Sequence, residues 1–284
     1  MTSLGTTLLV GFDSAWTAHK SGAVVAALKN QDGSITELGP PSTADYREAE
    51  GLILEWQDQF RPTYTIVLLD QPTIVKNASG QRPVENLVAS PVSLRYGGVQ
   101  PSSTSRADMF GENAPIWPFL VRFGGAADPQ GTPTATMVIE TYPVLFMITL
   151  GWMLPDKRAT GRLPKYNPGR RKTFSIADWQ HVCKLTSEAL GKHGLTALAR
   201  WIDSLAAIAR PQKADQDGLD ACVCLLVALS LVGRDECLMV GDQSSGYIVV
   251  PHSALLAAEL EQRCKTTGRM PSDWVRPFRL AVTG

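Results

Sequence analysis

Leu8-Leu9-Val10-Gly11-Phe12-Asp13, running on into Ser14-Ala15-Trp16-Thr17, is an uncharged run that ends on a carboxylate. A continuous apolar run of this length reads as a strand buried on both faces, as in the centre of a mixed or parallel sheet. The pattern recurs twice. Thr65-Ile66-Val67-Leu68-Leu69 ends on Asp70, and Thr136-Met137-Val138-Ile139 ends on Glu140. If the three strands run parallel, three carboxylates gather at one rim of the sheet, on strands about 5 Å apart. Carboxylates so placed repel unless a cation lies between them. The expectation is a divalent-metal site at the carboxyl ends of a parallel sheet, where open α/β folds hold their ligands.

The flanking sequence supplies the rest of an α/β chain. Gly22 to Leu28 and Ile35 to Leu38 are apolar runs joined by the turn cluster Asn30-Gln31-Asp32-Gly33-Ser34, so three antiparallel strands open the fold. Thr43 to Phe60 reads as a helix capped by Ser42 or Thr43, with Leu52, Ile53, Trp56 and Phe60 on one face. Helices are expected over Val144–Met153, Ser175–Lys192, Leu195–Ala209 and from about Asp217 onward. A strand over Gly246–Val250 and a helix over Ser253–Cys264 follow. The chain therefore reads as one domain over 1–284. A Pro/Gly-rich insertion over 75–134 carries one short helix near Ile116–Phe123, and a basic loop and helical insertion spans 154–210.

With 284 residues and 44% hydrophobic content, the chain can bury a sizeable core. Its formal net charge of zero argues against a protein that coats nucleic acid by charge alone. The positive charge that exists is concentrated. Lys157, Arg158, Arg162, Lys165, Arg170, Arg171 and Lys172 face a single acid, Asp156, in a loop suited to binding phosphate or to lying in solvent. Arg106 is open to a substrate role or to a surface ion pair with Asp108. Five cysteines without framework spacing point to a reduced, cytoplasmic chain. No basic leader opens the sequence, and the longest apolar run is too short for a bilayer.

Asp215, Asp217 and Asp220 open the most apolar helix of the chain, Ala221 to Val232. Capping accounts for one or two acids at a helix start. Asp220 already lies inside, three residues from Asp217 and on the same face. Packed against the sheet, that face would bring both acids to the rim.

This order of acids resembles the ribonuclease H fold, in which resolvase-like members carry metal acids on the first strand, the fourth strand and a late helix bearing D-x-x-D-A. The matching positions are Asp13, Asp70 and Asp217-Gly218-Leu219-Asp220-Ala221. More closely, the chain resembles the DUF429 family of predicted nucleases with that fold. The resemblance rests on Gly11-Phe12-Asp13-Ser14-Ala15-Trp16, Arg106-Ala107-Asp108, Ile139-Glu140-Thr141-Tyr142-Pro143 and Lys165-Tyr166 with Arg170 or Arg171. It continues through Asp220-Ala221 and Gly246-Tyr247-Ile248-Val249-Val250-Pro251. It implies a mixed five-stranded sheet with a helical C-terminal half, and Asp13, Asp70, Glu140, Asp217 and Asp220 as catalytic acids. Asp13, Asp70 and Asp220 would hold two Mg²⁺ or Mn²⁺ ions, and Trp16, Arg106, Lys165, Arg170 and Arg171 would contact nucleic acid. The family pattern departs here in two respects: Asp70 stands where resolvases use Glu, and Glu140 adds a further carboxylate. Hard oxygen ligands suit Mg²⁺ or Mn²⁺, and no His or Cys cluster suggests zinc. Two other readings compete: an actin-like phosphotransferase, which lacks its second phosphate loop here, and a non-catalytic nucleic-acid-binding or scaffold module.

Overall fold

The computed structural model describes residues 5–93, 99–156, 161–233 and 235–281. Lys157 and Arg158 of the basic loop lie outside these residues. The chain opens with β1 (Thr7–Asp13), β2 (Gly22–Lys29), β3 (Ile35–Glu37) and β4 (Ser42–Ala44), followed by α1 (Tyr46–Phe60) and β5 (Tyr64–Leu69). The insertion holds α2 (Pro83–Ser93), α3 (Ala107–Phe110) and α4 (Ile116–Arg122). Then come β6 (Thr136–Glu140), α5 (Pro143–Thr149), α6 (Ile176–Lys192), α7 (Thr196–Ala206) and α8 (Lys213–Val232). The chain closes with β7 (Cys237–Asp242), β8 (Gly246–Pro251), α9 (Ala254–Thr266), α10 (Pro271–Trp274) and β9 (Val275–Phe278).

The main sheet runs β3-β2-β1-β5-β6. β1 and β2 pair antiparallel, and β1, β5 and β6 pair parallel, as the three acid-ended runs anticipate. It has six strands rather than five. Ser42–Ala44, read from sequence as the cap of the first helix, adds β4 to the edge of β2, and Asp45 caps α1 instead through a capping box with Glu48. The C-terminal half is also less helical than expected, since β8-β7-β9 form a second, antiparallel sheet. The insertion carries three helices among its described residues instead of one.

Alternate residues along each central strand enter opposite cores. Leu8, Val10 and Phe12, with Val67, Leu69 and Val138, pack under α1 and α4 against Ala49, Ile53, Ile116 and Phe119. Leu9, Ile66, Leu68 and Ile139 face the other way, onto α5 to α8. The smaller sheet packs Leu238, Val240, Ile248 and Val250 against Val84 and Leu87 of α2 and Leu256 and Leu260 of α9. Thr141 Oγ1 donates to the carbonyl of Val249 at 2.8 Å, fastening the end of β6 to this second sheet. All five cysteines are buried and free. Among the described residues no helix is long and apolar enough to cross a membrane.

The approach of α8 to β1 fixes the site. A Cβ at Gly11 would lie 2.1 Å from the Ala221 carbonyl oxygen and 2.5 Å from the Leu225 nitrogen, so only glycine lets the helix backbone rest on the strand there. The helix is buried nearly all round from Gln216 to Val232, which its apolar sequence requires.

Candidate metal-binding cleft

Asp13 and Asp70 stand at the carboxyl ends of adjacent parallel strands. Phe12 pairs with Leu69, and each acid is the next residue; the ladder continues as Asp70 N–H donates to the Phe12 carbonyl at 2.9 Å. Alternation along β1 puts Asp13 on the face of Leu9 and Gly11, the face that α8 covers. Gly11 against Ala221 and Leu225 therefore brings the first turns of α8, with Asp217 and Asp220, beside the strand ends. Asp13, Asp217 and Asp220 are buried, and Asp70 is half-buried. Asp215 does not join them: it closes a capping box with Gln212 at the helix start, where its backbone partner lies 2.6 Å away.

Glu140 takes a different position. It pairs in register with Leu69, so it shares a row with Leu69 and Phe12, and Thr141 is the residue level with Asp70. One step along a strand reverses the face. Arg82 meets Glu140 there through two bonds, Nη2 to Oε1 at 2.6 Å and Nη1 to Oε2 at 2.9 Å, and Thr73 N–H adds a third at 2.9 Å. Arg82 also pairs with Glu85 (Nε to Oε1, 2.8 Å) and reaches the Ile74 carbonyl. A Cβ at Gly246, whose φ is +109°, would fall 2.7 Å from Arg82 Nη1, so glycine there leaves room for the guanidinium. Burial raises the pKa of Glu140 against the pull of Arg82. Glu140 thus ties β6 to the insertion and the second sheet through a buried ionic cluster.

Electrostatics set the remaining acids apart. Burial, then Asp70 and Asp220, hold Asp13 well above the usual carboxylate range. Burial and Asp220 do the same for Asp70. Asp220 accepts from the Tyr166 hydroxyl at 2.9 Å and from Gln216 Nε2 at 2.8 Å. Burial nonetheless pushes it up to about 6, against Lys213 and those two donors. Lys213, at the first position of α8, pairs with Asp217 one turn along. Burial lowers its pKa, but Asp13, Asp220 and Asp217 more than reverse that and hold the ammonium above its ordinary value.

These side chains line a cleft of about 460 Å³. Trp16 forms part of one wall. Its backbone is left-handed (φ 63°), its Nε1 donates to the Asp70 carbonyl at 2.7 Å, and its ring meets Phe110 edge-on at 5.7 Å. A non-glycine residue in that conformation is strained, and these contacts hold it. The basic loop contributes Lys165, Tyr166 and Arg170 to the lining. Asp178 anchors this loop by pairing with the Arg162 guanidinium and accepting from Lys165 N–H at 2.7 Å.

Of the residues singled out from sequence, Asp13, Trp16, Asp70, Glu140, Lys165, Arg170, Asp217 and Asp220 line the cleft. Arg106 and Arg171 do not. Arg106 lies at the start of α3 with Nη1 3.9 Å from Met109 Sδ, and Arg171 is exposed outside the cleft lining. Sequence reasoning passed over Lys213, Gln216, Tyr142 and Arg82. Lys213 had a visible signal, a Lys four residues before an Asp on one helix face. Arg82 and Glu85 had another, opposite charges three apart.

The donors around Asp13, Asp70, Asp217 and Asp220 are oxygens, the chemistry that Mg²⁺ and Mn²⁺ take. Gln216 Oε1, buried beside Asp220, accepts from nothing. An acceptor without a donor next to surplus carboxylates fits a cation. As the side chains stand, no group of three His, Cys, Asp or Glu among the described residues is arranged to hold an ion. Lys213 is the positive charge that sits against the acids.

No curated protein and no solved structure matched the chain. A family model described as a protein of unknown function, DUF429, matches residues 11–245, from the glycine against α8 to the turn before β8. The chain belongs to the DUF429 family.

Proposed function

We propose that this chain is a divalent-metal-dependent phosphodiesterase of ribonuclease H-like architecture, acting on nucleic acid. The observation that carries the reading is the convergence of Asp13, Asp70, Asp217 and Asp220 at the ends of two parallel strands and the start of α8. Buried acids that neighbouring carboxylates hold above their ordinary range, as at Asp13 and Asp70, cost stability in an ordinary core, which argues for a use. Three antiparallel strands followed by two parallel ones, with a late acid-bearing helix on the first strand, agree with the ribonuclease H pattern.

Asp13, Asp70 and Asp220 would hold the ion. Bound there, Mg²⁺ or Mn²⁺ supplies the charge that favours attack by water and stabilises the leaving oxygen. Tyr166 and Gln216 fix the Asp220 carboxylate through one bond to each oxygen. Arg170 and Lys165 in the cleft lining offer positive charge to a phosphate, and Trp16 offers an aromatic face to a base. Glu140 acts as a positioning residue, holding β6 and the insertion through Arg82.

The test is hydrolysis of single- and double-stranded DNA and RNA oligonucleotides, and of bis(p-nitrophenyl) phosphate, with Mg²⁺, with Mn²⁺ and with EDTA. The expected result is EDTA-sensitive cleavage that Asp70→Asn abolishes. Absence of cleavage across the panel, together with no Mn²⁺-dependent rise in the melting temperature of the wild type, would overturn the proposal.

A further inference from the structure

We propose that the apolar end of the cleft, formed by Val99, Met109, Val144, Leu163 and Ile248, seats one unpaired nucleobase, so that the substrate class is single-stranded nucleic acid and not a closed duplex. This rests on the phosphodiesterase reading above and names the substrate of that same site.

Val99, Val144, Leu163 and Ile248 line the cleft and pack in one core, that of the second sheet, so they stand together and are not scattered among the acids. Two stretches of chain join this end to the carboxylates. Leu163 lies three residues before Tyr166, whose hydroxyl donates to Asp220 at 2.9 Å. Val144 lies two residues after Tyr142, which packs on the same core while Asp70, Arg170 and Asp220 act on its hydroxyl. Met109 comes from the insertion. Gln100, next to Val99, reaches its Sδ at 3.6 Å, and Phe110, the residue after it, meets the Trp16 ring. Val144 and Met109 are only half-buried. Apolar side chains left open beside a polar site gain from a flat apolar group that covers them.

The neighbouring chemistry selects the occupant. Arg170 lines the cleft, so a phosphate at the acids has a guanidinium to meet it. The base carried by that nucleotide then has the Tyr142 ring and the Val144 and Leu163 side chains for its faces. The exposed Gln100 amide, which meets a thioether, is placed for its polar edge. Arg82, Glu85 and Glu140 also line the cleft, but they neutralise one another. At about 460 Å³ the cleft has the size that encloses one small ligand, and it is too small for a base pair with both its backbones. A base inside a duplex is covered on both faces and along its pairing edge. Only an unpaired base can lay a face against this wall.

Fluorescence anisotropy of labelled strands with the Asp70→Asn chain in EDTA tests this without turnover. The probes are an oligothymidine single strand, the same strand in a blunt duplex, and an all-abasic strand of equal length. The single strand should bind about tenfold or more tighter than either of the others, the loss expected when base contacts are removed. Adding Val144→Asn should weaken the single strand about fivefold or more, and this loss should not add to that of the abasic strand. Met109→Gln is the second variant, used if melting shows that Val144→Asn does not fold. Equal binding of single strand and duplex, or of single strand and abasic strand, overturns the base seat. So does unchanged binding in the folded apolar-end variant. In each case EDTA-sensitive cleavage of duplex in the hydrolysis panel would leave the phosphodiesterase reading standing. Failure to bind any probe also overturns the base seat, and the phosphodiesterase reading falls with it only if hydrolysis is absent too.

Discussion

Replacing Asp220 with asparagine is expected to stabilise the metal-free protein at neutral and alkaline pH. Burial pushes Asp220 from its ordinary 3.8 up to about 6. Between those values the folded chain holds the proton more tightly than the unfolded chain, so stability falls as pH rises. The contribution is complete below 3.8, where the carboxyl is protonated in both states, and is lost as pH passes about 6. At about 1.4 kcal/mol per pH unit, that span corresponds to about 3 kcal/mol. Asparagine carries no such dependence. Its carbonyl oxygen can keep the Gln216 donor, and the Tyr166 hydroxyl can turn to accept from its amide, so remade hydrogen bonds cost on the order of 1 kcal/mol. The net gain at about pH 8 is then about 1–3 kcal/mol, a rise of a few degrees in melting temperature for a chain of this size. Melting curves of wild type and Asp220→Asn in EDTA, at about pH 5 and pH 8, measure it. The difference should widen with pH, and saturating Mn²⁺ should reverse it, because only the wild type keeps the full set of ligands. A variant less stable than wild type at pH 8 in EDTA, or a difference that ignores pH, would refute the reasoning and make Asp220 a structural residue.

Three further substitutions probe the frame around the acids. Gly11→Ala places a methyl 2.1 Å from the Ala221 carbonyl, so α8 must shift; the expected loss is about 1–3 kcal/mol in chemical denaturation, with cleavage lost alongside it. Arg82→Met strands Glu85 and Glu140 in the interior and should cost about 3–5 kcal/mol, whereas Arg82→Met combined with Glu140→Gln should recover part of it; equal losses in the single and double variants would deny the pairing. Arg170→Ala should weaken oligonucleotide binding and flatten its salt dependence, and Arg171→Ala, outside the cleft, should change neither, as salt titrations of the binding constant would show.

Much of the architecture was legible because it rests on local apolar periodicity. The three acid-ended runs give β1, β5 and β6 nearly residue for residue, and the helix read over Ser175–Lys192 is α6 with Ser175 as its cap. The missed elements were those whose stability comes from partners distant in sequence. Ser42–Ala44 is three small residues that form a strand only because β2 offers an edge. Cys237–Asp242 and Val275–Phe278 pair with each other across about forty residues, and Val275–Phe278 contains a proline that speaks against a strand until an edge position accommodates it. In the insertion, Val84, Leu87 and Val88 carry helical spacing, but frequent prolines and glycines mask it.

The site divides along the same physical line. That Asp13 and Asp70 end strands could be read from the chain, because a buried run that stops on an acid puts the acid at a sheet end. The side of the sheet each acid faces depends on register, which the apolar run does not encode. Asp70 follows the residue paired with Phe12, but Glu140 is itself level with Phe12, and that single step puts it at the opposite alternation, where it meets Arg82. Once it faces that way, only a cation from another segment makes its burial tolerable. Arg82, fifty-eight residues earlier, is that cation. The same reasoning applies to Lys213. Its spacing from Asp217 is local and visible, but Asp13 reaches it only because Gly11 lets α8 lie on β1. The residues that neutralise charge in this cleft are therefore as informative as the acids: Arg82 marks a carboxylate committed to structure, and the unmatched Gln216 Oε1 marks the acids that are not.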